Sequence, residues 1–75
     1  MRSYLKELRE NKKMSQQDVA DKTNVSRQYY QQIEAGERQQ RMEIAFAAKL
    51  ADVFKVSLSR IIKCEQQWSS EDIAQ

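Results

Sequence analysis

Three observations predict an all-α fold for this 75-residue chain. It has no proline, a single glycine (Gly36), and apolar residues at helical spacing between serine start signals. Sheet-rich folds need glycine and proline punctuation that is missing here. A chain of this length buries only roughly 60% of its unfolded surface, so one small domain with stability on the order of 5 kcal/mol is expected. Composition also excludes several classes. The lone Cys64 cannot form an internal disulfide, and without histidine no cysteine–histidine zinc site can be assembled. No apolar run is long enough to span a bilayer, and residues 1–15 carry charge where a secretory signal needs an apolar stretch. A soluble, cytoplasmic domain with no metal and no cofactor is expected.

The first helix is expected over residues 3–12, with Ser3 as its N-cap and Leu5 and Leu8 on one side. It should stop near Lys12 and Lys13, where cations suit the end of the helix dipole. Met14 is an apolar plug before the next start. Ser15-Gln16-Gln17-Asp18 reads as a capping box with aspartate in place of the usual glutamate. The helix it opens packs through Val19 and Ala20 and runs to Lys22 or Thr23. At barely two turns it depends on tertiary packing. Asn24 tolerates the left-handed conformation of a tight turn. Val25 and Ser26 then open a third helix, RQYYQQIEA, with Tyr30 and Ile33 inward and Gly36 as terminator. Two short helices separated by about three residues make a helix-turn-helix.

Residues 37–42, ERQQRM, form a polar loop. EIAFAAKLADVF, residues 43–54, is an alanine-rich helix with a stripe of Ile44, Ala47, Ala48, Leu50, Ala51 and Phe54. Lys55 stands where glycine is expected. Val56-Ser57 repeats the apolar-then-cap pattern before a last short helix containing Leu58, Ile61 and Ile62. After Cys64 the pattern weakens, which divides the chain into a domain at residues 1–63 and a C-terminal extension at 64–75. The net charge of +2 is divided in the same way, +5 on residues 1–63 and −3 on residues 64–75. Ten glutamines, seven of them between Gln16 and Gln40, supply side chains that both donate and accept, a chemistry suited to base edges. Composition permits DNA binding without establishing it.

The segments LKELRENKKMSQQDVA, NVSRQYYQQIEAG and KLADVFKVSLSRI, in that order, resemble the phage repressor and Cro type of helix-turn-helix domain. The resemblance covers Leu5 to Ile61, about three quarters of the chain. It implies a five-helix DNA-binding module of the XRE-like regulators. Lys13 and Asn24 depart from it by replacing frequent glycines, the usual proline after the third helix is missing, and the following loop is two residues longer. No peptidase, ligand-binding or toxin domain is recognisable.

The resemblance implies that Gln16 binds a phosphate near the start of the second helix and braces the third. Arg27, Gln28, Gln31 and Gln32 are the candidate base contacts, with Gln28 favoured because its amide matches adenine N7 and N6. Tyr29, Arg38 and Arg41 are candidate backbone contacts, and Arg9 and Glu34 are expected to form a structural salt bridge. No catalytic constellation is present, so no enzyme is expected. The implied function is a regulator that binds a palindromic operator in double-stranded DNA as a homodimer, most simply a repressor of bacterial or phage origin acting at the nucleoid. Leu58, Ile61, Ile62 and Trp68 are candidates for the dimer interface, although Trp68 equally suits folding back over the first and last helices. An activator is one alternative. A protein-interaction or antitoxin-like module is another, and it would be expected to carry apolar residues where the third helix carries glutamine and arginine.

Overall fold

The computed structural model describes residues 1–39 and 41–73. Five helices carry its regular structure: α1 (Ser3–Asn11), α2 (Gln16–Thr23), α3 (Arg27–Ala35), α4 (Ile44–Phe54) and α5 (Leu58–Ile73). No strand occurs among the described residues. Gln40, one of the row of glutamines, and residues 74–75 of the expected extension lie outside them.

The first four helices all end in the same backbone pattern. Lys13, Asn24, Gly36 and Lys55 each take positive φ, at 55°, 61°, 83° and 56°. In each case the N–H of that residue reaches the carbonyl three residues back. The next N–H reaches the carbonyl five back, as in Met14 to Arg9, Val25 to Ala20, Glu37 to Gln32 and Val56 to Ala51. This is the double bond of a Schellman terminus, which satisfies carbonyls that a helix end leaves open. Glycine occupies only one of the four sites. Lysine and asparagine hold the others against the cost of a Cβ in the left-handed region.

Three of these ends lead straight into a start. Met14, Val25 and Val56 pack against the core, and the serine after each caps a helix. The Ser15, Ser26 and Ser57 hydroxyls accept from the N–H groups of Asp18, Tyr29 and Arg60 at 3.0, 3.0 and 3.1 Å. Asp18 completes the capping box by accepting from the Ser15 N–H at 2.8 Å. That backbone bond, then the Ser15 hydroxyl, holds the Asp18 carboxyl below its usual range. Each short connection is therefore end, anchor and start in three residues.

The helices close over Leu5, Val19, Ala20, Tyr30, Ile33, Leu50, Phe54 and Ile61, with Leu8, Phe46, Ala47 and Ala51 completing the core. α2 packs against α3 and α4, α1 against α3, and α4 against α5.

Several expectations are corrected. Arg2, not Ser3, is the N-cap of α1, and it makes no side-chain cap bond. On α4 the buried large residue near the start is Phe46, whereas Ile44 is 72% exposed. The last helix is not short. It runs unbroken for 16 residues across the 63/64 boundary. Leu58, Ile61, Glu65 and Trp68 follow one another at spacings of three, four and three, which puts them on one stripe.

Candidate nucleic-acid interface

α3 is fixed on its inner side and open on its outer one. Tyr30, Ile33 and Glu34 are buried, while Arg27, Gln28 and Gln31 are exposed at its N-terminal half. The inner side is held by a bidentate pair. Arg9 Nε donates to Glu34 Oε2 at 3.1 Å and Arg9 Nη2 to Glu34 Oε1 at 3.0 Å, while Nη1 donates to the Met14 carbonyl at 3.1 Å. Their side chains are 13% and 2% exposed, so the pair is largely removed from water. The hydrogen bond to Glu34 raises the Arg9 pKa above its ordinary value. One helix of the scaffold and the end of α3 are thereby locked in register.

Gln16 and Arg27, at the starts of α2 and α3, line one open cleft of about 700 Å³ together with Lys6 of α1. The first-turn N–H groups of both helices are not all used by their serine caps, and helix N-termini favour anions. Ser15, Gln17, Arg9 and the carboxylate-bearing Glu34 also line the cleft. Gln28, Gln31 and Gln32 line a second, shallow depression of about 250 Å³ with Ala35 and Glu37. Gln28 and Gln31 are exposed in it, and its polar side chains are amides apart from Glu37.

Gln32 differs from its neighbours. It is half-buried, and its Oε1 accepts from Arg38 Nε at 2.6 Å. One of the two lone pairs on that carbonyl is taken up by Arg38, and the other stays open to a second donor. Arg38 also lies over the Tyr29 ring at 5.5 Å. Gln39 Nε2 donates to the Tyr29 hydroxyl at 2.9 Å, and Gln39 Oε1 accepts from the Glu43 N–H at 3.1 Å. Tyr29 and Gln32 thus brace the loop against α3. Among the described residues, the Tyr29 proton and the two terminal nitrogens of Arg38 stay available to an outside acceptor. Arg41 is exposed.

The residues expected at a dimer interface separate on inspection. Ile61 is fully buried within the protomer, which removes it from any subunit contact. Trp68 does not fold back over the last helix but is part of it: its ring lies over the Arg2 guanidinium at 4.3 Å, and a Cβ at Gly36 would meet its Cζ2 at 3.0 Å. Leu58 is half-buried and Ile62 is 37% exposed. Sequence reasoning missed Arg2, Glu65 and Gln39. Glu65 was findable from its place on the Leu58–Ile61–Trp68 stripe, once α5 is extended past Cys64. Nothing local marks Arg2.

The fold and this face define a helix-turn-helix domain of the DNA-binding kind. The helix-turn-helix family model matches residues 5–61, most of the chain, and the chain belongs to that family. It is thereby a DNA-binding transcriptional regulator of XRE type. No curated protein and no solved structure matches it. Among the described residues no helix is long and apolar enough to cross a membrane.

Proposed function

We propose that the protein is a sequence-specific repressor that binds a palindromic operator as a homodimer, with α3 in the major groove. The observation that carries this reading is the open Arg27–Gln28–Gln31 row on a helix whose inner face is locked by the Arg9–Glu34 pair. Gln28 and Gln31 are the principal base readers, because each keeps both its amide donor and its acceptor free among the described residues. Arg27 reads a guanine or, with Gln16, clamps a phosphate at the cleft they share. Gln32 holds Arg38 and keeps its amide N–H groups and one carbonyl lone pair for a base edge or the backbone. Arg38, Arg41 and the Tyr29 hydroxyl address the backbone.

Dimerisation follows from reach. One module reads only a few base pairs, whereas two-fold pairing sets two recognition helices about 34 Å apart on successive major-groove turns. Support for its location comes from an apolar groove of about 280 Å³ lined by Met42, Ile44, Ala47 and Ile62, with polar residues Arg41, Glu65, Gln66 and Ser69 at its edge. Among the described residues, Ile44 and Ile62 are two of the three large apolar residues left exposed, and both line it. Leu58 and Ile62 stay in the proposed interface; Ile61 does not. A protein-interaction module is disfavoured by the same comparison, since none of the three exposed large apolar residues lies on α3.

Selection from random duplexes tests the reading. A two-fold symmetric motif with half-sites about 10 base pairs apart is expected. No enrichment over unrelated DNA would overturn it.

A further inference from the structure

Arg2 is a fully buried cation, 0% exposed. Its Nε donates to Glu65 Oε1 at 2.5 Å, and its Nη2 reaches Glu65 Oε2 at 3.4 Å. Its Nη1 donates to the Ile33 carbonyl at 2.6 Å and the Arg38 carbonyl at 2.9 Å, and Nη2 also donates to the Gln39 carbonyl. The Arg2 N–H donates to the Glu34 carbonyl at 2.8 Å. Tyr4 donates its hydroxyl to Glu65 Oε1 at 2.5 Å, and Trp68 lies over the guanidinium. One planar cation therefore joins the last turn of α3, two carbonyls of the α3–α4 loop and the second half of α5.

The arrangement has a physical logic. The described residues of the α3–α4 loop, 37–39 and 41–43, contain no regular structure, so their carbonyls need partners from elsewhere. A guanidinium offers five donors in a fixed plane, enough to hold three carbonyls and a carboxylate together. The negative end of α3 also favours a cation there. Because Arg2 is sealed beneath Trp68, its charge cannot meet a phosphate. What it controls is the backbone of Arg38 and Gln39. Arg38 is a candidate phosphate contact, and Gln39 braces Tyr29.

We propose that Arg2, seated by Glu65 and Trp68, is the positioning residue that sets the α3–α4 loop for contact with the DNA backbone. This rests on the DNA-reading role proposed for α3. It also gives the C-terminal half of α5 a task in DNA binding, through Glu65, which borders the groove of Ile44 and Ile62 as well.

The experiment compares the parent chain with Arg2→Met and Arg2→Lys, using the duplex recovered by selection. Lysine keeps the charge and can reach one acceptor or two, which preserves a cooperative melt, but it cannot span all four. In Arg2→Lys, affinity is expected to fall about tenfold and the slope of log affinity on log salt to shrink by about one, with the selected motif unchanged. Amide exchange across residues 37–42 in the free protein should rise about tenfold or more. Arg2→Met should show both effects more strongly; if it does not fold, Arg2→Lys carries the test. A folded Arg2→Lys protein with parental salt slope and parental loop exchange would overturn the proposal while leaving the DNA reading intact. A parent protein that binds no duplex would overturn the DNA reading, and the role of Arg2 with it.

Discussion

Replacing Arg9 by leucine is expected to be a folding lesion before it is a binding one. The substitution removes both charge-assisted bonds to Glu34 and the bond to the Met14 carbonyl. Glu34 then stays behind at 2% exposure without its bidentate partner. Breaking a buried pair from one side costs about 3–5 kcal/mol, because the remaining charge keeps its desolvation penalty. The 13% exposure of Arg9 lets some water reach the vacated position, so the lower end, about 3 kcal/mol, applies. A domain of this size has about 4–11 kcal/mol in total. At about 4–8 °C per kcal/mol, the melting midpoint should drop by about 12–24 °C. Thermal melts followed by circular dichroism measure this directly. Replacing both partners by leucine should recover most of the loss, since no charge is then stranded. The reasoning is refuted if Arg9→Leu melts within a degree or two of the parent, or if the double variant is no more stable than the single one.

Other outcomes follow from the same structure. Gln28→Ala should lower affinity for the selected duplex by about 1–3 kcal/mol and leave unrelated DNA nearly unaffected, as read by fluorescence anisotropy on both. Arg38→Ala should weaken both duplexes alike and reduce the salt slope by about one. Lys55→Gly relieves a Cβ at φ 56° and should stabilise by about 0.5–1 kcal/mol after the added freedom of the unfolded chain is counted, visible as a higher melting midpoint. Asp18 has a folded pKa below its unfolded one, so its contribution is complete above the unfolded value and is lost as pH falls through the folded value. The melting difference between parent and Asp18→Asn should therefore be present near neutrality and shrink in acid.

The helix order was legible because its signals are local. The triplets Lys13-Met14-Ser15, Asn24-Val25-Ser26 and Lys55-Val56-Ser57 each announce an end and a start within three residues, and the structure uses all three that way. Their lysines and asparagine disguise the left-handed position, which glycine would have advertised. The exposed row on α3 was readable from periodicity once Tyr30 and Ile33 fixed the inner face. What periodicity could not give was closure across the chain. Arg2 and Glu65 lie 63 residues apart, and neither looks like a core residue by type. A buried cation is stable only through its partners, so it becomes visible when the fold brings three carbonyls and a carboxylate around it. The weak pattern after Cys64 has the same origin. Glu65 and Trp68 continue the inward stripe of α5, but a carboxylate in that stripe reads as surface until its cation is known.

Amide chemical-shift mapping of the labelled protein, titrated with its selected duplex, tests the central claim most directly. Changes should concentrate on Gln16, on Arg27 to Gln32 and on the loop from Arg38 to Arg41, with Gln28 and Gln31 among the largest. Changes confined instead to Met42, Ile44 and Ile62, with α3 silent, would contradict a DNA-reading α3.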